Sequence, residues 1–252
     1  FMELKHLVSG TDIRGIVSEF GDKKITLSKG EVKFIAAGFE KWIKRKYERK
    51  ADDENRKIKI AVGYDARYTG PEFAEIIREE LKEAGIDVYD CKMSITPSLF
   101  MTTIFKNYKT DGAIMITASH LPSYYNGLKF FTRDGGLEKT DVLEMLEMGN
   151  RKKCQCEANL KKAMGIKDKK GKVTEKNLAD DYADYLCELI KKETGEEKEP
   201  LKNLKVVIDA GNGAAGFFAD KVIEKLGGNS AGSQFFIMHE AAPHLDGAYA
   251  GF

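Results

Sequence analysis

The sequence has little net charge, few cysteines and no long apolar run. Its 252 residues carry 41 Lys and Arg against 40 Asp and Glu, a net charge of +1. A chain so balanced has no global field that would attract nucleic acid or an anionic membrane, and we expect neither as a partner. The longest apolar runs, such as 112–116, are far too short to span a bilayer. These features favour a globular protein with a buried core.

Cysteine usage bears on the cell compartment. The chain has 4 cysteines, Cys91, Cys154, Cys156 and Cys187. Cys154 and Cys156 lack a second pair or histidine partners at metal-ligand spacing, which makes a zinc site or a disulfide the less favoured alternative. The first residues do not form a charged-then-apolar signal segment. We therefore predict reduced thiols and a cytoplasmic location.

Short apolar strands alternate with amphipathic helices in the first part of the chain. Strands are predicted at 58–62, 86–89, 112–117 and 128–131. A helix begins near Ser28, where Glu31 three residues on completes a capping-box pattern, and further helices begin near Pro71 and Thr96. Such alternation predicts an α/β fold with a mixed, largely parallel sheet sandwiched by helices. The unbroken apolar run at 113–116 is typical of a strand buried on both faces.

The composition changes after Gly149, and the lysine-rich stretch 151–176 is interpreted as a surface connection or an edge element. Its acidic neighbours and its lack of interleaved aromatics indicate a solvated surface rather than a nucleic-acid site. Further along, a helix at 178–191, a strand at 206–208 and a helix at 217–226 are predicted. We therefore place a boundary near residue 155, with a first domain over 1–155 and a partial second α/β domain over 156–252.

The segment 117–120 (TASH) directly follows a predicted buried strand. Ligands of open α/β sheets gather beyond the carboxyl ends of the strands, so Ser119 is a candidate nucleophile or phosphate carrier. The alternative is an ordinary loop serine. A Ser-His-Asp hydrolase is disfavoured because no Gly-x-Ser-x-Gly elbow is present. In addition, a histidine next to a serine, as His120 is here, rarely points at the preceding hydroxyl.

Several segments taken together carry a family resemblance. They are 10–15 (GTDIRG), 63–67 (GYDAR), 96–98 (TPS), 117–120 (TASH) and 126–129 (NGLK). In this order they resemble the N-terminal motif set of the α-D-phosphohexomutase superfamily, the phosphoglucomutase/phosphomannomutase type. The resemblance runs from about residue 8 to about residue 228. Each segment alone is a weak signal, and the combination is specific.

The resemblance implies a reaction and a role for each matching residue. A phosphoserine donates its phosphoryl group to a hexose 1- or 6-phosphate, and the bisphosphate intermediate reorients and returns the other group. Ser119 would be that phosphoserine, with Arg14 and Lys129 as the cations beside it and Lys129 as a candidate general acid/base. His120 would assist in the loop. Arg67 would organise the loop and contribute to the electrostatics around the phosphate.

The resemblance also implies a cofactor and an activator. Family members use Mg²⁺, which contacts the phosphoserine and an Asp-Gly-Asp-x-Asp-Arg loop, and hexose 1,6-bisphosphate acts as activator. This sequence contains no such loop; Asp246-Gly247 is the nearest fragment. The expectation is a truncated or frame-shifted chain, inactive alone, with an apolar edge that promotes self-association. The only metal ligand expected in this chain is therefore Ser119, through the phosphate that it carries.

Two other functions are weighed against the mutase. The segment 211–216 fits the dinucleotide fingerprint G-x-G-x-x-G. The phosphohexomutases carry a similar Asp-x-Gly-Asn-Gly stretch, which Asp209–Gly213 matches, so an oxidoreductase is disfavoured. The second alternative is a non-catalytic phosphosugar-binding or regulatory module. Which hexose phosphate is preferred does not follow from this sequence.

Overall fold

The computed structural model describes residues 4–48, 57–149, 170–211 and 213–228. The strands are β1 (Val8–Ser9), β2 (Asp12–Ile16), β3 (Lys59–Tyr64), β4 (Asp87–Met93), β5 (Gly112–Ile116), β6 (Tyr125–Thr132), β7 (Gly135–Gly136) and β8 (Val173–Glu175). The α-helices are α1 (Lys29–Glu48), α2 (Gly70–Glu83), α3 (Thr96–Met101), α4 (Lys139–Met148) and α5 (Leu178–Thr194).

All of these strands belong to one mixed sheet. Its order is β1-β2-β6-β5-β3-β4-β8, and β7 pairs with β6 outside this path. The strands β5, β3, β4 and β8 run parallel to their neighbours in that series. The β1-β2, β2-β6, β5-β6 and β6-β7 pairs are antiparallel. The predicted mixed α/β class is confirmed, with its parallel part at the centre and towards the β8 edge.

The core lies where helices cover the middle of the sheet. β5 is buried at every position, as its unbroken apolar run predicts. On one face α1 packs against α2 and α4, and Phe39 of α1 stacks on Phe130 of β6 with ring centroids 5.3 Å apart. α1 begins after Ser28, whose backbone N–H donates to the Glu31 carboxylate at 3.0 Å. This reciprocal part of the predicted capping box sets the start of the helix.

The chain beyond residue 170 both extends the sheet and covers it. β8 pairs with β4 as a parallel edge strand. α5 is tied to the first part of the fold by Tyr108, whose hydroxyl donates to Asp181 Oδ2 at 2.6 Å. The predicted boundary at residue 155 lies outside the described residues and stays a prediction. The predicted division places residues 173–175 in the second domain, whereas their strand β8 pairs with β4 of the first.

The predicted strand at 206–208 does not form. A strand needs a partner for its backbone hydrogen bonds, and the described residues of this region offer no second strand. The predicted helix at 217–226 is a π-helical turn, Ala219–Ile223, followed by a 3-10 turn, Glu224–Leu226. Val222 and Leu226 pack with Ala183 and Cys187 of α5.

Some apolar side chains of this region face solvent. Val207 is 78% exposed and Leu204 is 52% exposed. The self-association expected from an apolar edge stays a prediction. In the described part of the chain, no helix combines the length and the apolar character needed to cross a membrane.

Gly127 of β6 occupies a position where a side chain does not fit. A Cβ there would lie 2.2 Å from the Ile13 carbonyl oxygen and 2.9 Å from the Thr117 carbonyl oxygen. Both neighbours are backbone atoms, which cannot move without shifting β2 or the end of β5. Gly127 thus allows the close approach of the strands that carry the candidate site.

We expect Gly127→Ala to lower the free energy of unfolding by about 3 kcal/mol, because an overpacked site forces backbone displacement. Gly136→Ala in the same sheet is the control, since its new Cβ would lie 3.9 Å from the nearest atom, the Phe130 carbonyl oxygen. Urea unfolding followed by circular dichroism measures both. Equal stability of the two variants would contradict the close-approach argument.

Candidate functional site

Ser119 lies in the turn that leaves the carboxyl end of β5. Its backbone is left-handed, with φ at 60°, a conformation that is uncommon for non-glycine residues. Its N–H donates to Thr117 Oγ1 at 2.9 Å. The side chain is exposed, and its Oγ is 3.3 Å from His120 Nδ1. The expectation that the adjacent histidine points away from this hydroxyl is therefore wrong.

The guanidinium of Arg67 is surrounded by the backbone of this turn. Its NH1 donates to the carbonyl oxygens of Pro122 and Tyr125, each at 2.9 Å. Its NH2 donates to those of Ser119 at 2.8 Å and Leu121 at 2.7 Å. All the terminal N–H groups of Arg67 are thus used by the loop. No terminal donor of Arg67 is left over for a further ligand, so any effect of Arg67 on a bound anion would come from its charge and from the shape of the loop.

Asp65 joins Arg67 to the serine. Its carboxylate accepts from the backbone N–H of Arg67 at 3.0 Å, and its Oδ2 is 3.3 Å from Arg67 Nε. The same Oδ2 accepts from the Thr117 hydroxyl at 2.6 Å, and Thr117 in turn accepts from the Ser119 N–H. A continuous chain of polar contacts therefore runs from Arg67 through Asp65 to the backbone of Ser119.

Burial dominates the electrostatics of the Asp65–Arg67 pair. Burial raises the pKa of the Asp65 carboxyl, against the lowering effects of the Thr117 hydrogen bond and of Arg67. Burial lowers the pKa of the Arg67 guanidinium; Asp65 opposes this and Arg14 adds to it. An arginine keeps its charge in proteins, so the influence of Arg14 shows that the two guanidinium groups are electrostatic neighbours.

Arg14 and Lys129 come from β2 and β6. The register pairs Ile13 with Leu128 and Arg14 with Gly127, so the next step places Asp12 opposite Lys129. Because side chains alternate along a strand, Asp12, Arg14 and Lys129 lie on one face of this pair. Asp12 Oδ2 accepts from Lys129 Nζ and, at 3.1 Å, from Arg14 NH2. The missing side chain of Gly127 leaves room for Arg14, whose Cγ is 3.2 Å from the place a Cβ would take.

The far end of the loop is also held. Asn126 is buried, accepts from the Gly127 N–H at 2.8 Å and donates to Thr69 Oγ1 at 2.9 Å, next to the start of α2. Tyr124 stacks on Phe20 with ring centroids 4.6 Å apart. Lys23 donates to the Tyr124 hydroxyl at 2.7 Å. The turn around residues 20–23 therefore packs on the loop from the side of β2.

The predicted site residues fall into two groups. Ser119, His120 and Arg67 meet in the loop after β5, and Arg14 and Lys129 meet at Asp12 on the adjoining strands. From the sequence, pairing of Arg14 with Asp12 and of Arg67 with Asp65 is expected only as a structural alternative to a role in the site. The contact of Asp12 with Lys129 is not expected from the sequence. Both aspartates could have been proposed as site residues from their positions in the motifs. Asp12 and Arg14, for example, are two residues apart on one strand and must therefore share a face.

A metal site is not complete in the described ranges. No group of at least three His, Cys, Asp or Glu side chains comes together there in a way that would hold an ion. Ser119 bearing a phosphate would add oxygen ligands, which suit Mg²⁺. The residues described here do not by themselves fit a Mg²⁺ centre.

Comparison with known proteins identifies the class. The fold is shared with a phosphoglucomutase/phosphomannomutase family protein from Burkholderia thailandensis, with a TM-score of 0.63 and 24% identity over 88% of this chain and 42% of that one. A putative phosphomannomutase from Thermus thermophilus has a TM-score of 0.58, with 18% identity over 84% of this chain and 43% of that one. At this identity the likeness concerns the fold alone.

Sequence comparison is more specific. The family model described as phosphoglucomutase/phosphomannomutase, alpha/beta/alpha domain I, matches residues 6–153. The chain is 34% identical to a phosphoglucomutase of Neisseria meningitidis over 69% of this chain and 34% of that protein. It is 30% identical to a phosphoglucosamine mutase of Alkaliphilus oremlandii over 69% of this chain and 36% of that protein. The chain belongs to the phosphoglucomutase/phosphomannomutase family, and it spans about a third of the length of these curated relatives.

We expect Arg67→Lys to loosen the loop between β5 and β6 (residues 117–124), which we call the serine loop. Lysine keeps the charge of arginine but not its fork of donors. Losing several loop hydrogen bonds should lower the local opening free energy by about 2 kcal/mol. Hydrogen exchange at the amides of Ser119, Leu121 and Tyr125 measures this. Arg133→Lys, an exposed change in the turn after β6, is the control. Unchanged exchange in Arg67→Lys would show that the guanidinium does not hold the loop.

Proposed function

We propose that this chain carries the phosphoserine centre of an enzyme that interconverts hexose 1-phosphate and hexose 6-phosphate, with Ser119 as the phosphoryl carrier. The observation that carries the proposal is an exposed serine hydroxyl at the carboxyl end of a central strand, in a left-handed turn, in a chain of this family. Such a turn presents the hydroxyl to solvent at the edge of the sheet where ligands bind.

The proposed reaction moves one phosphoryl group in each direction. The Oγ–P bond of phosphorylated Ser119 breaks while a new P–O bond forms to a hydroxyl of the hexose phosphate. Lys129 donates a proton to Oγ as it leaves, and the sugar hydroxyl loses its proton to water. After the bisphosphate reorients, Ser119 Oγ attacks the other phosphoryl group and gives its proton to Lys129. The P–O bond to the sugar breaks, and the released sugar oxygen takes a proton from water. Catalysis depends on position and charge more than on covalent chemistry.

The remaining side chains have supporting roles in this proposal. Arg14 offers a planar guanidinium to the phosphoryl oxygens, and Lys129 offers a compact charge. His120 Nδ1 is 3.3 Å from Ser119 Oγ and assists as a hydrogen-bond partner of the hydroxyl. Arg67 keeps the loop in one conformation, so that the phosphoryl group has a fixed place.

Mg²⁺ and hexose 1,6-bisphosphate enter as proposals for the complete enzyme. A bound Mg²⁺ would supply charge neutralisation at the phosphoserine, whose oxygens would be among its ligands. Hexose 1,6-bisphosphate would act as activator by phosphorylating Ser119. The curated relatives carry names for both glucose and glucosamine phosphates, so the preferred hexose stays open.

We expect glucose 1,6-bisphosphate to bind at the serine loop. In ¹H–¹⁵N NMR spectra it should shift the amide signals of residues 117–127. Lys129→Met should weaken this binding about tenfold, because it removes a charge-assisted contact to phosphate. Lys106→Met, an exposed change before the amino end of β5, is the control. Shifts confined to other parts of the chain would contradict the proposed site.

We expect this chain alone to show negligible mutase turnover in a coupled glucose 6-phosphate assay with Mg²⁺. The described residues do not complete a metal site, so the charge of a phosphoserine lacks compensation. Robust turnover that Ser119→Ala abolishes would refute this expectation while supporting Ser119 as carrier. Binding without turnover would leave a non-catalytic phosphosugar-binding module as the function of the isolated chain, an alternative that rests on the same phosphate site at Ser119.

A further inference from the structure

We propose that Asp12 is a positioning residue, whose carboxylate holds Arg14 and Lys129 as a preformed pair of cations for a phosphoryl group. The inference rests on the proposed phosphate site. It concerns a residue that touches neither Ser119 nor its loop in the contacts described above. One oxygen, Asp12 Oδ2, contacts both Arg14 NH2 and Lys129 Nζ.

The three side chains are largely withdrawn from water. Asp12, Arg14 and Lys129 are 13%, 19% and 21% exposed, respectively. Two cations held this close would repel each other, and the repulsion is stronger away from water. A carboxylate between them removes the repulsion and fixes two long side chains that would otherwise sample many rotamers.

The arrangement also leaves donors available. Arg14 Nε is a buried N–H donor without a hydrogen-bond partner in the described structure. Asp12 accepts from one terminal nitrogen of Arg14 and from the ammonium group of Lys129. Each cation therefore keeps further N–H groups that can donate to a ligand. A buried unsatisfied donor is costly and is satisfied when an oxygen-rich anion arrives. The phosphoryl group is the ligand whose geometry suits a guanidinium and an ammonium side by side.

Two effects of Asp12 on an anion have opposite signs. Its own negative charge repels phosphate, so removing the charge should strengthen phosphate binding if charge alone matters. Its hold on the cations pre-organises the site, so removing it should weaken phosphate binding. Because Asp12 contacts both cations directly, we infer that pre-organisation is the larger effect.

The test is the affinity of the whole chain for inorganic phosphate, measured by NMR titration of the Arg14 Nε–H signal and the amides of residues 117–127. We expect Asp12→Asn to weaken binding about tenfold despite its added positive charge, because two side chains must then be ordered on binding. Asp12→Glu keeps the charge, and we expect an affinity between those of Asp12→Asn and the unchanged chain. Asp220→Asn, exposed in the π-helical turn, makes the same charge change and should leave the affinity unchanged.

A double-mutant cycle separates positioning from a structural role. Lys129→Met should weaken phosphate binding clearly in the unchanged chain and much less in Asp12→Asn, where Lys129 is already unplaced. Additive effects, or equal or tighter binding by Asp12→Asn, would overturn the proposal while leaving the phosphate site in place. No binding of phosphate by the unchanged chain would overturn the site itself and the positioning role with it. If Asp12→Asn does not fold, Asp12→Glu decides: undiminished affinity in that folded variant refutes positioning.

Discussion

The serine loop depends on one guanidinium, that of Arg67, whose side chain is only 13% exposed. Carbonyl oxygens from Ser119 to Tyr125 converge on Arg67, and without a cation their dipoles would point at one another with no donor to satisfy them. This convergence compensates for the left-handed backbone of Ser119, a conformation that costs free energy in a non-glycine residue. Asp65 then balances the buried charge and, through Thr117, returns to the serine itself. The other parts of the site can act together only if this loop keeps one conformation.

The site has two supports that reach it by different routes. The loop is held from β3, through Asp65 and Arg67, whereas the cations are held on β2 and β6, through Asp12. Gly127 stands between them, because its missing side chain admits both the backbone of Thr117 and the stem of Arg14. The shape of the serine loop and the placement of the charges are therefore set by separate side chains, and a change in one need not disturb the other.

The sequence allowed the elements that carry strong local signals to be predicted. β5 followed from an apolar run, and α1 from the pair of Ser28 and Glu31. Around β8 the sequence indicates only a surface connection or an edge element, because the positions of this strand are all exposed and show no alternation. At the site, the motifs allowed Ser119, Arg14, Lys129 and Arg67 to be proposed as site residues. Their roles stay predictions. The shared use of Asp12 depends on strand register, and the grip of Arg67 on the loop depends on distant carbonyls; neither leaves a local mark in the sequence.

The edge strand β8 makes the sheet depend on residues that lie further along the chain than the other strands. Its backbone covers the outer side of β4, with Val88 N–H donating to the Lys172 carbonyl oxygen at 2.7 Å. A segment that ended at residue 155 would lack this cover and would expose the hydrogen-bonding edge of β4. The smallest segment that carries the serine loop within an intact sheet therefore extends at least to Glu175. If parts are exchanged between relatives of this family at a crossover before that residue, the strand that covers β4 comes from the other parent.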